Sequence, residues 1–201
     1  SVTEIGYNPF ASCSKLQEFK GKYSADGGRA LINGNTFIAF AHACGTTEYT
    51  IPNNVTIIGA YAFTDCTNLT TITLPEGLQK IESFAFADCT SLTSITLPEG
   101  VTTIGWEAFY GCTSLTSITL PEGLQTIESY AFTGCTSLTT ITIPEGLQTI
   151  GNWAFLGCDN LTTITIPASV TEIVNQAFDY SGIKKLYCKP TTPPIISDSN
   201  I

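Results

Sequence analysis

LTSITLPEG, residues 92–100, returns letter for letter at residues 115–123. Shifting the chain against itself brings every such stretch into register at a period of 23, the mark of a solenoid in which one structural unit is written repeatedly. Leu69, Leu92, Leu115, Leu138 and Leu161 open successive units, and Phe63, Phe86, Phe109, Phe132, Phe155 and Phe178 sit late in each. Between them runs a column of Ile72, Ile95, Ile118, Ile141 and Ile164. A weaker first copy begins near Thr46 and carries Tyr49, Ile51 and Pro52 at matching places.

Within a unit, L-x-x-I-x-L-P alternates apolar and polar residues, is rich in β-branched side chains and ends on proline, which reads as a short strand. The following E-G is a turn. L-x-x-I and a segment ending A-F-x-x-C come next, with a spacing suited to one helical or 3₁₀ turn. One coil cannot bury its apolar face alone, but stacked coils can, with parallel strands ~4.8 Å apart and Leu, Ile and Phe columns facing inward.

The chain thus divides into a partial repeat at 1–19, an insertion at 20–45, repeats over 46–182, and a terminal strand and tail at 183–201. VTEIG at 2–6 with Phe10, Cys13 and Leu16 matches VTIIG at 55–59 with Phe63, Cys66 and Leu69, so the chain opens halfway through a coil. With no Met in the sequence, it reads as a piece of a longer product. The insertion holds two turn signals, DGG and NGN, beside apolar stretches, and is expected to be a β-hairpin. Ile183, Leu186 and Cys188 imitate a last strand one residue early, and the prolines of KPTTPP are expected to stop the period there.

The form L-x-x-I-x-[LI]-P-x-x-[LV]-x-x-I-x-x-x-A-F-x-x-C resembles the BspA-type leucine-rich repeat, over roughly residues 1–188 and most strongly over 46–182. The resemblance implies a right-handed leucine-rich-repeat solenoid of α/β class, with a parallel β-sheet on the concave side and short helical or 3₁₀ turns on the convex side. It also implies a surface or secreted protein and, for some members, adhesion to host matrix proteins or other bacteria. It brings no catalytic residues.

Bulk chemistry narrows the function. A net charge of −9, with 8 Lys and Arg in all, argues against capture of a nucleic-acid backbone, which needs clustered cations. Residues 46–182 hold thirteen acidic residues and one basic residue, Lys80. No apolar run approaches the ~20 residues that span a bilayer, and the start lacks the pattern of a signal peptide. Cys13, Cys66, Cys89, Cys112, Cys135 and Cys158 share one repeat position. Stacked equivalents point the same way, whereas a disulfide needs its Cβ atoms ~3.8 Å apart and facing, so a buried column of free thiols is expected, acting as small apolar residues. A single histidine, His42, leaves neither a zinc site nor a nucleophile–base pair to be read, and no cofactor, metal or enzyme activity is expected.

Four surfaces remain as candidates. Glu76, Glu99, Glu122 and Glu145 form a column at the strand-to-turn junction, where a weak cation or basic partner competes with plain solvation; repulsion between neighbours in water is only ~0.8 kcal/mol. Alternating with the core on the concave sheet are Thr71, Thr73, Ser94, Thr96, Ser117, Thr119, Thr140, Thr142, Thr163 and Thr165, a grid of hydroxyls that β-propensity alone would also produce. On the convex side, Tyr61, Phe84, Trp106, Tyr110, Tyr130 and Trp153 collect as large rings, either as cover for the turns or, if exposed, as a stripe for protein or glycan. The insertion offers Lys20, Lys22, Arg29, Phe37, Phe40 and His42 as a non-repetitive surface. The reading is a non-catalytic, extracellular or cell-surface interaction module, with a protein or glycan partner. A structural spacer for another domain is the alternative, and an ice-lattice face on the grid a remote third.

Overall fold

The computed structural model describes Phe10, Cys13 and residues 15–197. Strands Glu48–Thr50, Thr71–Thr73, Ser94–Thr96, Ser117–Thr119 and Thr140–Ile141 lie side by side in one parallel sheet. Register is one period per strand: Tyr49 faces Ile72, Ile95 faces Ile118, and Ile118 faces Ile141. Thr163–Ile166 continues the same side and pairs with Lys185–Cys188, Ile164 opposite Leu186. The one-residue shortfall foreseen at Leu186 is therefore absorbed without loss of parallel pairing.

The expectation of helical turns opposite this sheet is corrected. Each L-x-x-I stretch ends in a second short strand, and Ile57–Ile58, Lys80–Ile81, Thr103–Ile104, Thr126–Ile127, Thr149–Ile150 and Glu172–Val174 form a second parallel sheet. Among the described residues, 3₁₀ turns occur only at Asp26–Gly28 and His42–Cys44, outside the regular coils. The tail also departs from the expected stop: Ile195–Ser197 pairs with Glu172–Val174, so the prolines bridge one further crossing of the second sheet. At the other end Thr36–Phe40 joins this sheet parallel to Ile57–Ile58, and pairs antiparallel with Ala30–Asn33, which in turn pairs with Ser24–Ala25. VTEIG at 2–6 lies outside the described residues.

Backbone chemistry explains why the A-F-x-x-C arc is not a helix. Every second N–H leaves the coil for the next one: Tyr61, Phe63 and Asp65 donate to the carbonyls of Ser83, Ala85 and Ala87 at 3.1, 2.8 and 2.9 Å. The intervening N–H groups close tight turns within the coil, as Ala62 does to Gly59 and Cys66 to Phe63. A helix would spend all its donors internally, whereas this alternation satisfies the buried backbone and also ties the stack together. It requires left-handed backbone at two places per coil, and φ is 61° at both Tyr61 and Asp65.

Inside, Phe63, Phe86, Phe109, Phe132, Phe155 and Phe178 stack with successive centroids 5.3–5.5 Å apart and nearly parallel planes. Phe37, 4.6 Å from Phe63, and Phe40, 5.3 Å from it, extend the column and are buried. That placement removes both from the surface on which the insertion was expected to display them. Leu and Ile columns fill the rest of the core.

Candidate functional site

The ten grid residues are all exposed. Register sets their hydroxyls in rows, Thr71 beside Ser94, Ser94 beside Ser117, and Ser117 beside Thr140. A hydroxyl ladder unnoticed in the sequence runs just before them: Thr70, Thr93, Thr116 and Thr139 each donate to the carbonyl one coil earlier, at 3.0–3.3 Å. The signal was an unbroken threonine one residue N-terminal to each strand, from Thr47 to Thr162, which the threonines of the grid beside it masked. Of the glutamate column, Glu145 meets Lys189 at 2.7 Å, and that hydrogen bond holds its carboxyl below its ordinary pKa. Among the described residues no three of His, Cys, Asp and Glu come together closely enough to hold a metal ion.

On the opposite side, five of the six large rings form one continuous ridge. Tyr61 stacks on Phe84 at 4.4 Å; Phe84 meets Trp106 edge-on at 4.7 Å; Trp106 meets Tyr130 edge-on at 6.0 Å; Tyr130 meets Trp153 at 4.9 Å. Tyr110 is exposed but makes no ring contact with them. Four ridge residues are half-buried, and Trp106 is the most open, at 39%. Tyr61, Phe84, Tyr130 and Trp153 have φ between 51° and 61°, in the left-handed region that costs an L residue roughly 1–2 kcal/mol. The coil of Trp106 differs: its ring has moved one residue earlier and Glu107 takes the left-handed place, at φ 54°.

Carboxylates border the ridge. Glu82 accepts the Ala60 N–H at 3.2 Å and the Lys80 ammonium at 2.9 Å, in a groove of about 500 Å³ that also holds Tyr61, Phe84, Trp106 and Glu128. Burial raises the pKa of Glu107, and the charge of Asp88 adds to it; burial likewise raises Asp88, helped by Asp65. The phenol of Tyr130 is raised by burial and then by Glu107. One coil on, Asn152 is buried with its side-chain oxygen unpartnered.

The repeat cysteines Cys66, Cys89, Cys112, Cys135 and Cys158 are buried free thiols as a column, but the expectation is corrected at Cys13, which shares their repeat position and is exposed; Cys188 is likewise exposed and free. Cys89, Cys112, Cys135 and Cys158 each donate from sulfur to a phenylalanine carbonyl at 3.1–3.2 Å, and burial pushes the Cys158 thiol up to about 12. In the insertion, Arg29 pairs with Asp26 at 2.7 Å and covers the Tyr49 ring, and Lys20 pairs with Glu18. His42 keeps its Nδ1 buried without a partner, and burial depresses its pKa.

Two parallel sheets, period-long register and a continuous Phe–Leu–Ile core define a leucine-rich β-solenoid. The chain belongs to the BspA type leucine rich repeat family, whose model matches six copies over residues 36–129 and 102–199. It is similar to a leucine-rich repeat protein of Bacteroides ovatus, at 34% identity and a TM-score of 0.69, over 75% of this chain and 40% of that one. A Treponema pallidum leucine-rich repeat protein matches at 27% identity and a TM-score of 0.73, over 81% of this chain and 77% of that one. A leucine-rich cell surface protein of Faecalibacterium prausnitzii matches at 29% and 0.68, over 80% and 51%. The chain thus spans well under two thirds of the first and last of these. No curated protein matches. Among the described residues no helix is long and apolar enough to cross a membrane.

Proposed function

We propose that the chain is a non-catalytic interaction module of a bacterial surface or secreted protein, presenting one long face of the solenoid to an extracellular protein, a glycan or another cell. One observation carries this reading: four aromatic side chains are kept at left-handed backbone positions, where glycine would fit without strain, and together with Trp106 they make a half-exposed ridge. Strain retained at repeated positions is a pointer to use. The likeness to a leucine-rich cell surface protein supports the location.

The test is binding of the purified chain to a panel of extracellular-matrix proteins and immobilised glycans, with Trp153→Ala and Thr140→Ala variants in parallel. Binding weakened by Trp153→Ala alone places the working face on the ridge, and by Thr140→Ala alone on the grid. Silence across the whole panel would overturn the reading in favour of a structural spacer.

A further inference from the structure

We propose that the ridge is a receptor for cationic side chains, and that the partner of this module is an arginine- or lysine-rich protein segment laid along its rings. The proposal rests on the interaction reading above and names its partner chemistry. Three observations on one surface lead to it.

First, the rings offer π faces to a cation, and Trp, the strongest such partner, is the most exposed of them. Second, carboxylates share the surface of Trp106. Glu107 follows Trp106 in the chain, and Glu82 and Glu128 line the same groove one coil to either side. In their common column Gly105 adds no side chain, and a Cβ there would stand 2.8 Å from the Glu82 backbone carbon, so the coils pack too closely at this point for a larger residue. Glu107 and Glu128 have no ion pair among the described residues. Third, the only basic residue of 46–182, Lys80, already reaches into this groove and bonds Glu82. The chain's own ammonium therefore shows what the groove accepts. Charge complementarity over the repeats, thirteen acidic residues against one basic, favours a basic segment over a neutral glycan.

The chain's two tryptophans, Trp106 and Trp153, both lie on the ridge, so intrinsic fluorescence reads this surface directly. The probes are a fluorophore-labelled peptide of alternating Arg and Gly, its neutral citrulline counterpart, and a neutral oligosaccharide. Affinity is read by anisotropy and ring contact by tryptophan quenching. The arginine peptide is expected to bind and quench, and the citrulline peptide to do neither. Trp106→Ala should weaken binding roughly five- to tenfold, and Glu107→Gln with Glu128→Gln should weaken it further and flatten its salt dependence. Lys80→Ala, which vacates the groove, should tighten binding more than the charge-matched Lys185→Ala at the far end.

Equal binding of the citrulline peptide would overturn the proposal. So would binding of the oligosaccharide alone, which would hand the ridge to a glycan while leaving the interaction reading intact. Arginine-peptide binding that survives Trp106→Ala but is lost in Thr140→Ala would move the site to the grid, with the same consequence. Silence of all three probes overturns the cationic receptor alone; the interaction reading falls only if the matrix and glycan panel is silent as well. Should Trp106→Ala fail to fold, Trp106→Phe and the two glutamine substitutions carry the same decision.

Discussion

Tyr180 stands at the place taken by Gly111, Gly134 and Gly157 in earlier coils, with φ of 51° and 85% of its surface exposed. Its side chain contributes little packing to set against a left-handed backbone. Tyr180→Gly is therefore expected to stabilise the chain by about 1 kcal/mol, the strain relieved less the extra unfolded-state entropy of glycine, as a rise in the urea midpoint. The opposite case is Phe109, buried between Phe86 and Phe132 in the middle of the stack. Phe109→Ala removes a ring with close neighbours on both sides and should cost about 3–5 kcal/mol. An unchanged melting temperature would refute the column as a source of stability.

Among the elements, the thiol column makes a sharp chemical statement. Burial holds Cys89, Cys112, Cys135 and Cys158 above the ordinary thiol pKa, and the thiolate is the reactive form; Cys66 is shielded by its burial. Under native conditions an alkylating reagent should modify Cys13 and Cys188 quickly, and Cys66, Cys89, Cys112, Cys135 and Cys158 only as fast as the solenoid opens; mass spectrometry of timed samples reads both classes. From Cys66 onward the column is legible in the sequence because period 23 superposes its members and the stacking distance forbids their pairing; Cys13 shares the repeat position but is exposed, which residue type does not reveal. The first sheet was legible for the same reason, its three-residue strands carrying a visible in–out alternation around Ile72, Ile95 and Ile118. The second sheet was not: Thr103–Ile104 and all but the last of its equivalents are two residues long, and no alternation can show in two residues. The arc between them does not announce itself, because left-handed backbone is usually signalled by Gly or Asn, and the first of its two left-handed places holds Tyr, Phe, Trp, Glu or Gln, with Gly at the second place in only three coils. Ridge membership was legible by residue type, but exposure was not, since it depends on how each coil covers the next. That is why Tyr110 could not be told from Trp106, or Phe37 and Phe40 from surface residues.

Over the whole molecule, the one-sign charge of the repeats couples stability to pH. Asp88 and Glu107 have folded pKa values raised by burial and by acidic neighbours, so protonation favours the folded state. Their contribution is complete below their unfolded pKa values and is lost as pH rises through the folded ones. Glu145, lowered by Lys189, works the other way at an exposed site. Mild acidification from neutrality into the carboxylate range should therefore raise the melting temperature, and added salt at neutral pH should mimic part of the gain by screening. A fall in melting temperature over that range would show that the groups with depressed folded pKa values, the half-buried His42 imidazole and the exposed Glu145, dominate instead.

A solenoid whose register is one period per strand has a further consequence for the molecule as a whole. Apart from the exposed Glu145–Lys189 pair, which reaches across two coils, each coil makes its backbone and core contacts with the coils before and after it, so stability is close to a sum of coil and interface contributions. Excising residues 115–137, one full period, joins Cys112 and its turn to Leu138, which occupies the place of Leu115, and every column closes over the gap. That variant should fold, lose only the share of stability belonging to one coil and one interface, and show a proportionally smaller urea m-value. Excising residues 115–126 removes half a period and sets strand against arc, so both sheets lose their partners and the Phe stack is broken at Phe132. It should fail to fold cooperatively by circular dichroism. Equal tolerance of the two deletions would mean that the coils do not depend on register, against the pairing of Ile95 with Ile118 and of Ile104 with Ile127 on which both sheets are built.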